Sequence, residues 1–160
     1  MLAEALRVRH TGIHSKIRQE LLIGGYMVTF TITGTPQGKA RPRFRRVGNF
    51  VQTYTPKATK DYEERIREGF LETGCPMFTG AVHMMITAAF TPAKSFSKKK
   101  RAELMQGKPT IKCDADNLAK VVMDALNGVA YEDDKQVTAL SVFKIYKDEP
   151  YIAVVLKEDE

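Results

Sequence analysis

Residues 113–128, CDADNLAKVVMDALNG, contain the clearest helix pattern in this chain of 160 residues. Apolar side chains recur there with the i, i+3, i+4, i+7 spacing of a helix that buries one face. The stripe consists of Leu118, Val121, Val122, Ala125, Leu126 and Val129. Asn127-Gly128 is a typical helix stop, and Asp114 and Asp116 stand at the start. The stretch therefore predicts an amphipathic helix with an acidic beginning.

Shorter patterns on both sides of this helix predict the rest of the fold. Alternating apolar residues predict strands from Met27, over 81–90, and twice more after residue 136. A helix is expected from Thr55-Pro56 to Gly74, and a short basic helix over 97–106. Residues 35–56, punctuated by Pro and Gly, are expected to form a loop. The order β, α, β, α, α, β, β predicts an α+β domain with helices packed on one face of a small mixed β-sheet.

The first 26 residues have weak periodicity and contain Gly24-Gly25 just before the strand at Met27. We expect residues 1–26 to form an extension outside the core, either an appended helix or a product of upstream translation. The domain is then expected to span residues 27–160.

Composition indicates a globular protein, because 43% of the residues are hydrophobic. No apolar run approaches the ~18 residues of a membrane span, and the start lacks the apolar core of a signal peptide. We therefore expect a soluble intracellular protein with no membrane partner. Cys75 and Cys113 are far apart, which indicates neither a disulfide framework nor a zinc knuckle.

The net charge of +6 is unevenly distributed along the chain. Residues 1–112 hold 20 Lys and Arg against 8 Asp and Glu, whereas residues 113–160 hold 5 against 11. A basic body with one acidic segment is typical of a protein that binds a polyanion and concentrates carboxylates at one place. An unevenly charged, solvated surface is the alternative explanation.

The acidic residues around the predicted helix are candidate metal ligands. Asp114 and Asp116 point the same way if the chain is extended up to the helix, and residues 132–134 supply more carboxylates after it. Paired carboxylates repel unless a cation lies between them, and such oxygen ligands suit Mg²⁺ or Mn²⁺. The alternative is that the aspartates only cap the helix, with Lys120 and Asp124 forming an ordinary surface pair.

The predicted loop contains a run of basic residues that fits a DNA backbone. It comprises Lys39, Arg41, Arg43, Arg45 and Arg46. In an extended chain the odd-numbered arginines point the same way and present a row of guanidinium groups. Phe44 between them either stacks at a distorted branch point or, as residue statistics favour, lies in the core. A second basic run at 97–101 is typical of a solvated helix face.

The pattern DADNLAKVVMDALNGVAYEDDKQV, residues 114–137, resembles the signature of RusA-type Holliday junction resolvases. The segment from Met27 to the basic loop is similar to the start of that family's domain. The resemblance implies a Mg²⁺-dependent, homodimeric endonuclease, with Mn²⁺ as an alternative ion, that resolves four-way DNA junctions by paired nicks in recombination and repair. It assigns catalysis to Asp114, Asp116, Lys120 and Asp134, the three aspartates being metal ligands. Asp133 is the fallback for Asp134.

Two other functions fit the same residues. A non-catalytic DNA-binding module needs the basic loop but uses the aspartates only as helix caps. A metal-dependent nuclease for other branched DNA needs the same aspartates but acts on flaps or other forks.

Overall fold

The part of the chain that the computed structural model describes, residues 18–22, 25–107 and 111–159, forms seven strands, three α-helices and one 3₁₀ turn. The strands are β1 (Arg18–Leu22), β2 (Gly25–Thr33), β3 (Arg43–Val47), β4 (Phe50–Tyr54), β5 (Val82–Phe90), β6 (Val137–Tyr146) and β7 (Tyr151–Glu158). The helices are α1 (Lys57–Leu71), α2 (Lys98–Gln106) and α3 (Ala115–Leu126). The 3₁₀ turn spans Asp134–Gln136. The predicted α+β class is confirmed.

Five strands form one mixed sheet in the order β1-β2-β7-β5-β6. β2, β7 and β5 pair antiparallel, whereas β5 and β6 pair parallel. A parallel pair requires a long crossover, and the segment between β5 and β6 supplies it with α2, α3 and the 3₁₀ turn. This crossover contains both predicted acidic segments.

α1 and α3 pack on the same face of the sheet. Alternate residues of the central strands point at them and are buried: Val28, Phe30 and Ile32 of β2, Met84 and Ile86 of β5, and Ile152, Val154 and Leu156 of β7. Phe30 and Phe70 meet edge to face with ring centroids 6.1 Å apart. Gly69 allows α1 to approach β2 closely, because a Cβ there would lie 2.3 Å from Ile32 Cδ1.

The apolar stripe of α3 is buried as predicted. Helix α3 ends at Leu126, and Gly128 follows with a positive φ of +73°, a conformation that glycine adopts without strain. Tyr131 is buried just after this turn and donates a hydrogen bond of 3.0 Å to the carbonyl of Met123. The chain after α3 is thereby held against the helix that it has left.

Residues 43–54 form a two-stranded hairpin of β3 and β4, which we call the arm, instead of the predicted loop. Gly48 occupies the first position of its two-residue turn with a φ of +61°, which matches the twist of the two strands. All residues of both strands are exposed. Since neither face is buried, the sequence shows no apolar alternation that would have predicted strands.

The strand β1 pairs with β2, from Arg18 opposite Thr29 to Leu22 opposite Gly25. The sheet therefore includes residues before Met27, where the domain was expected to begin. For residues 18–22 the appended helix is replaced by a strand, because β2 offers its free edge to the preceding segment. Residues 1–17 and 23–24 of the expected extension lie outside the described residues. None of the described helices is long and apolar enough to cross a membrane.

Candidate nuclease site and DNA interface

Asp114 occupies the N-cap position of α3 without capping the helix. Among the described residues, its side chain accepts no hydrogen bond from the backbone of the first turn. Its Oδ2 instead receives a long hydrogen bond of 3.4 Å from Nδ2 of Asn117. A capping aspartate ordinarily accepts from the second or third N–H of its helix. The exposed carboxylate of Asp114 is therefore available to another ligand.

Asp116 and Lys120 follow Asp114 on the exposed side of α3. Asp116 lies in the first turn of the helix, and Lys120 lies four residues later, one turn further along. Both side chains are exposed, so a bound phosphodiester can reach them without a change in the fold.

The start of the arginine-rich segment packs directly against the beginning of α3. The backbone N–H of Lys39 donates a hydrogen bond of 2.8 Å to the carbonyl of Asn117. At Gly38 an added Cβ would lie 2.9 Å from Cβ of Asn117 and 3.3 Å from Sγ of Cys113. Only glycine fits this close approach. It holds residues 38–39, which precede the arm and which we call its base, against the acidic end of α3.

The side chain of Lys39, a predicted DNA contact, is bound to two carboxylates. Its ammonium lies 2.8 Å from Oδ2 of Asp124 and also forms a short contact with Glu63. Burial lowers the pKa of Lys39, but hydrogen bonds and charges from Asp124 and Glu63 outweigh that effect and raise it overall. The ammonium is thus engaged between α1 and α3, and a phosphate would have to compete for it.

Lys144, which the sequence patterns did not single out, holds the segment before Asp114. Its Nζ donates hydrogen bonds of 3.0 Å to the carbonyl of Ile111 and 2.8 Å to that of Cys113. Lys144 pairs with Ala88 and therefore lies on the helix-covered face of β6. A lysine at an inward position of an alternating strand was the available signal, because a partly buried ammonium needs acceptors.

The second acidic segment is organised by Gln136. Its Oε1 accepts from the backbone N–H groups of Glu132 and Asp133, at 2.9 and 3.2 Å. Its Nε2 donates to the carbonyls of Phe78 and Gly80, at 3.2 and 3.0 Å. These four bonds fix the loop that carries the neighbouring aspartates to the segment just before β5.

Asp133 and Asp134 have different roles in this loop. Asp133 caps the 3₁₀ turn, since its Oδ1 accepts a hydrogen bond of 2.9 Å from the backbone N–H of Lys135. That bond lowers the pKa of Asp133. Asp134 is the first residue of the turn and its side chain is exposed. The structure thus leaves Asp134 freer than Asp133 to bind a ligand.

The carboxylates at the two ends of α3 affect the pKa of two different side chains. Burial raises the pKa of the Cys113 thiol, the N–H of Gly38 and Lys144 lower it in part, and the nearby charges of Asp114 and Asp116 raise it again. Burial likewise raises the pKa of Tyr131, with smaller contributions from Asp134 and Asp124. Asp114 and Asp116 thus affect the pKa of Cys113, whereas Asp134 and Asp124 affect that of Tyr131.

Within the described residues, no three Asp, Glu, His or Cys side chains lie close enough together to hold a metal ion. The oxygen donors and exposure of Asp114 and Asp116 fit a hard divalent cation, but the chain alone does not bring Asp134 into a closed site with them. Water and phosphate oxygens are the usual remaining ligands of Mg²⁺ in proteins that act on nucleotides.

The predicted DNA-binding arginines lie on or next to the arm, and all are exposed: Arg41, Arg43, Arg45 and Arg46. Nε of Arg45 donates 2.8 Å to Oε1 of Gln52, and its Cζ lies 6.0 Å from the ring centroid of Tyr54. Nε of Arg46 donates 3.2 Å to the carbonyl of Gly48. Phe44 is 71% exposed, so the interpretation of Phe44 as a core residue is wrong.

Comparison with known proteins shows the family to which the chain belongs. The family model described as Endodeoxyribonuclease RusA matches residues 33–157, which include the arm, both acidic segments and the strands that carry them. The chain is also 34% identical over 139 residues to "Uncharacterized protein YqaN" from Bacillus subtilis (strain 168), covering 82% of this chain and 96% of that relative. A match that spans most of the chain shows that this protein belongs to the RusA endodeoxyribonuclease family and is an endonuclease.

Proposed function

We propose that this protein is a Mg²⁺-dependent, structure-selective endodeoxyribonuclease that resolves Holliday junctions by paired nicks in DNA recombination and repair. The observation that carries the proposal is the state of Asp114, which stands at a helix cap without capping. Asp133, by contrast, caps its own turn. This difference supports Asp114 as a metal ligand and Asp133 as a structural residue. Family membership supports the choice of DNA as substrate.

Asp114, Asp116 and Asp134 are the proposed metal ligands, with Mn²⁺ as an alternative to Mg²⁺. A divalent ion at such carboxylates supplies activation of water and stabilisation of the leaving oxygen. Lys120, one turn from Asp116, is proposed to contact the scissile phosphate and stabilise its developing charge. Gln136 and Lys144 position the two acidic segments through the backbone.

The four arginines at 41, 43, 45 and 46 are proposed to contact DNA phosphates. All are exposed and the arm contains no Asp or Glu, which supports this role. Lys39 keeps a place in the DNA-binding surface, but its contacts with Glu63 and Asp124 support a positioning role, in which it holds the arm's base against α1 and α3.

The homodimer is proposed to form through the face of the sheet opposite α1 and α3. Phe143 of β6 and Met85 of β5 lie on this face and are 50% and 46% exposed. Val155 and Ala153 of β7 lie in the same rows, next to Met85 and Thr87. Parallel strand pairs are normally covered on both faces, and Phe143 and Met85 on an uncovered face next to such a pair support a partner there.

A second copy of the chain is the occupant that the dimensions favour. Four strands of about eight residues form a face of roughly 19 Å by 26 Å. That flat area is about 500 Å², and the accessible surface of the side chains on it is larger, comparable with the ~800 Å² that each partner buries in a standard interface. A two-fold pairing would also present two acidic sites to a junction that is itself two-fold symmetric.

The endonuclease proposal is tested on synthetic DNA with matched arms. Four-way junction, flap and linear duplex are incubated with the protein in the presence of Mg²⁺, Mn²⁺ or EDTA, and the cut positions are mapped. We expect metal-dependent, symmetric nicks in the junction and loss of cleavage in Asp116→Asn with junction binding retained. Binding without cleavage would favour a non-catalytic DNA-binding module. Equal or faster cutting of flaps would favour a nuclease for other branched DNA.

The dimer is tested by sedimentation equilibrium of Phe143→Asp and Met85→Asp, which place a charge on the open face. Both variants are expected to sediment as monomers, because a buried unpaired carboxylate opposes association. Thr138→Asp, at an exposed position near the start of the same strand, is a control for folding. If Phe143→Asp still sediments as a dimer, the interface lies elsewhere.

A further inference from the structure

The arm is the largest concentration of exposed apolar side chains in the described part of the chain. Phe50 is 80% exposed and Phe44 71%, and the group also includes Val47, Val51 and Tyr54. An isolated two-stranded hairpin is marginally stable in water, and clustered exposed apolar groups indicate an interaction site. The arm therefore needs a partner that accepts aromatic side chains.

The pairing of the two strands places apolar residues at the tip and arginines behind it. Val47 and Phe50 face each other and close the turn. Arg45 stands opposite Gln52 on the same face as this pair, whereas Arg46 stands opposite Val51 on the other face. The tip thus carries an aromatic ring with a guanidinium close behind it on each side.

The arm's own contacts hold both guanidinium groups in place. Arg45 lies along its face, bound to Gln52 and above the ring of Tyr54. Arg46 is held near the turn by the carbonyl of Gly48. With three arginines and no carboxylate among residues 43–54, the arm favours a polyanion over the equally basic arm of a second copy.

We propose that the arm enters the branch point of the DNA and that Phe50 stacks on a base exposed there, with Arg45 and Arg46 on the flanking phosphates. This inference rests on the proposed function and makes Phe50 a specificity-determining residue. Two strands about 4.8 Å apart form a ribbon that a groove of ~12 Å admits. In continuous duplex each base face is covered by its neighbours, so insertion costs unstacking, whereas a branch point already exposes base faces. Stacking by Phe50 therefore selects branched over linear DNA.

The test compares Phe50→Ala, Phe50→Trp and the wild type in binding without added divalent ion, so that no DNA is cut. The probes are a four-way junction with 2-aminopurine at the branch point and a linear duplex with the same base in the same sequence. Phe50→Ala is expected to weaken junction binding roughly 5- to 150-fold, the range of one base–aromatic stack. Its duplex affinity and salt slope stay at wild-type values, and the 2-aminopurine signal of bound junction is lost. Phe50→Trp restores both affinity and signal.

Leu71→Ala is the matched control, because Leu71 is an exposed apolar residue outside the arm. An equal loss of junction and duplex affinity in Phe50→Ala, or no loss, overturns the proposal. A fall in sedimented mass for Phe50→Ala overturns it too, in favour of a second copy as the arm's partner. Failure of the proposed function is seen separately, as absence of metal-dependent nicks with the wild-type protein.

Discussion

Lys39 and Asp124 are joined by an ion pair of 2.8 Å that ties the base of the arm to the second half of α3. The same ammonium contacts Glu63 of α1, and the Lys39 side chain is only 18% exposed. Two carboxylates thus share one cation at the place where three segments meet. Removal of the cation would leave both carboxylates partly buried and facing each other, which costs free energy.

We expect Lys39→Met to lower the free energy of unfolding by about 1–2 kcal/mol, between the values for exposed and fully buried ion pairs. Lys57→Met is the matched control, because Lys57 pairs with Asp61 at 2.7 Å but is 87% exposed. That variant should change stability by no more than about 0.5 kcal/mol. Urea unfolding of both variants measures the difference. Equal effects would mean that the Lys39 pair contributes no more than a surface pair.

The contribution of Lys39 should disappear at alkaline pH. Burial acts to lower its pKa, but Asp124 and Glu63 raise it above the ordinary 10.5. A raised pKa in the folded state means that the stabilisation is complete below 10.5 and is lost as pH rises through the folded value. The stability difference between wild type and Lys39→Met is therefore constant from pH 7 to about 10 and shrinks above that. A difference that falls between pH 7 and 9 would contradict the raised pKa.

Asp114 and Asp133 should respond differently to substitution. Asp114→Asn removes an exposed charge that caps no helix, so we expect nuclease activity to fall at least 100-fold with stability changed by less than about 0.5 kcal/mol. Asp133→Asn keeps a capping side chain and should retain most activity. Junction nicking and urea unfolding are measured for both. Full activity in Asp114→Asn would remove it from the site, and a dead Asp133→Asn would exchange the roles of Asp133 and Asp134.

Asp133 should stabilise the 3₁₀ turn only above acidic pH. The hydrogen bond from the N–H of Lys135 lowers its pKa, so its contribution is present above 3.8 and is lost as pH falls through the folded value. Wild type and Asp133→Ala should differ in stability at pH 7 and converge at low pH. Carboxyl chemical shifts followed by NMR measure the pKa directly. A midpoint at or above 3.8 would contradict the capping bond.

The helix stripe of α3 was predictable because burial imposes a 3.6-residue period on Leu118, Val121 and Leu126. The arm was not predictable, because strands with no buried face need no alternation of apolar and polar residues. Its turn did carry a signal, since Gly48-Asn49 between β-forming residues is typical of a two-residue hairpin.

The side-chain contacts of the site could not be predicted from the sequence for a different reason. The cap of Asp133 and the free carboxylate of Asp114 look alike in sequence, because both aspartates precede helical turns. In the sequence Lys39 is one more member of a basic run, whereas in the structure it contacts Glu63 and Asp124. Pairing over such separations depends on tertiary packing, and no local spacing encodes it.

Lys144 should position Asp114 without touching DNA. Its ammonium holds the carbonyls of Ile111 and Cys113, so Lys144→Met frees the segment that leads into α3. We expect nicking to fall about 10-fold or more, because a misplacement near 1 Å is costly in catalysis, while junction affinity stays within twofold. Hydrogen exchange should speed up in residues 111–117, and Lys144→Arg, which also donates to two carbonyls, should restore both properties in part. Lys147→Met, at an exposed position just after β6, is the control. Slower nicking with unchanged exchange in residues 111–117 would instead indicate direct contact of Lys144 with the substrate.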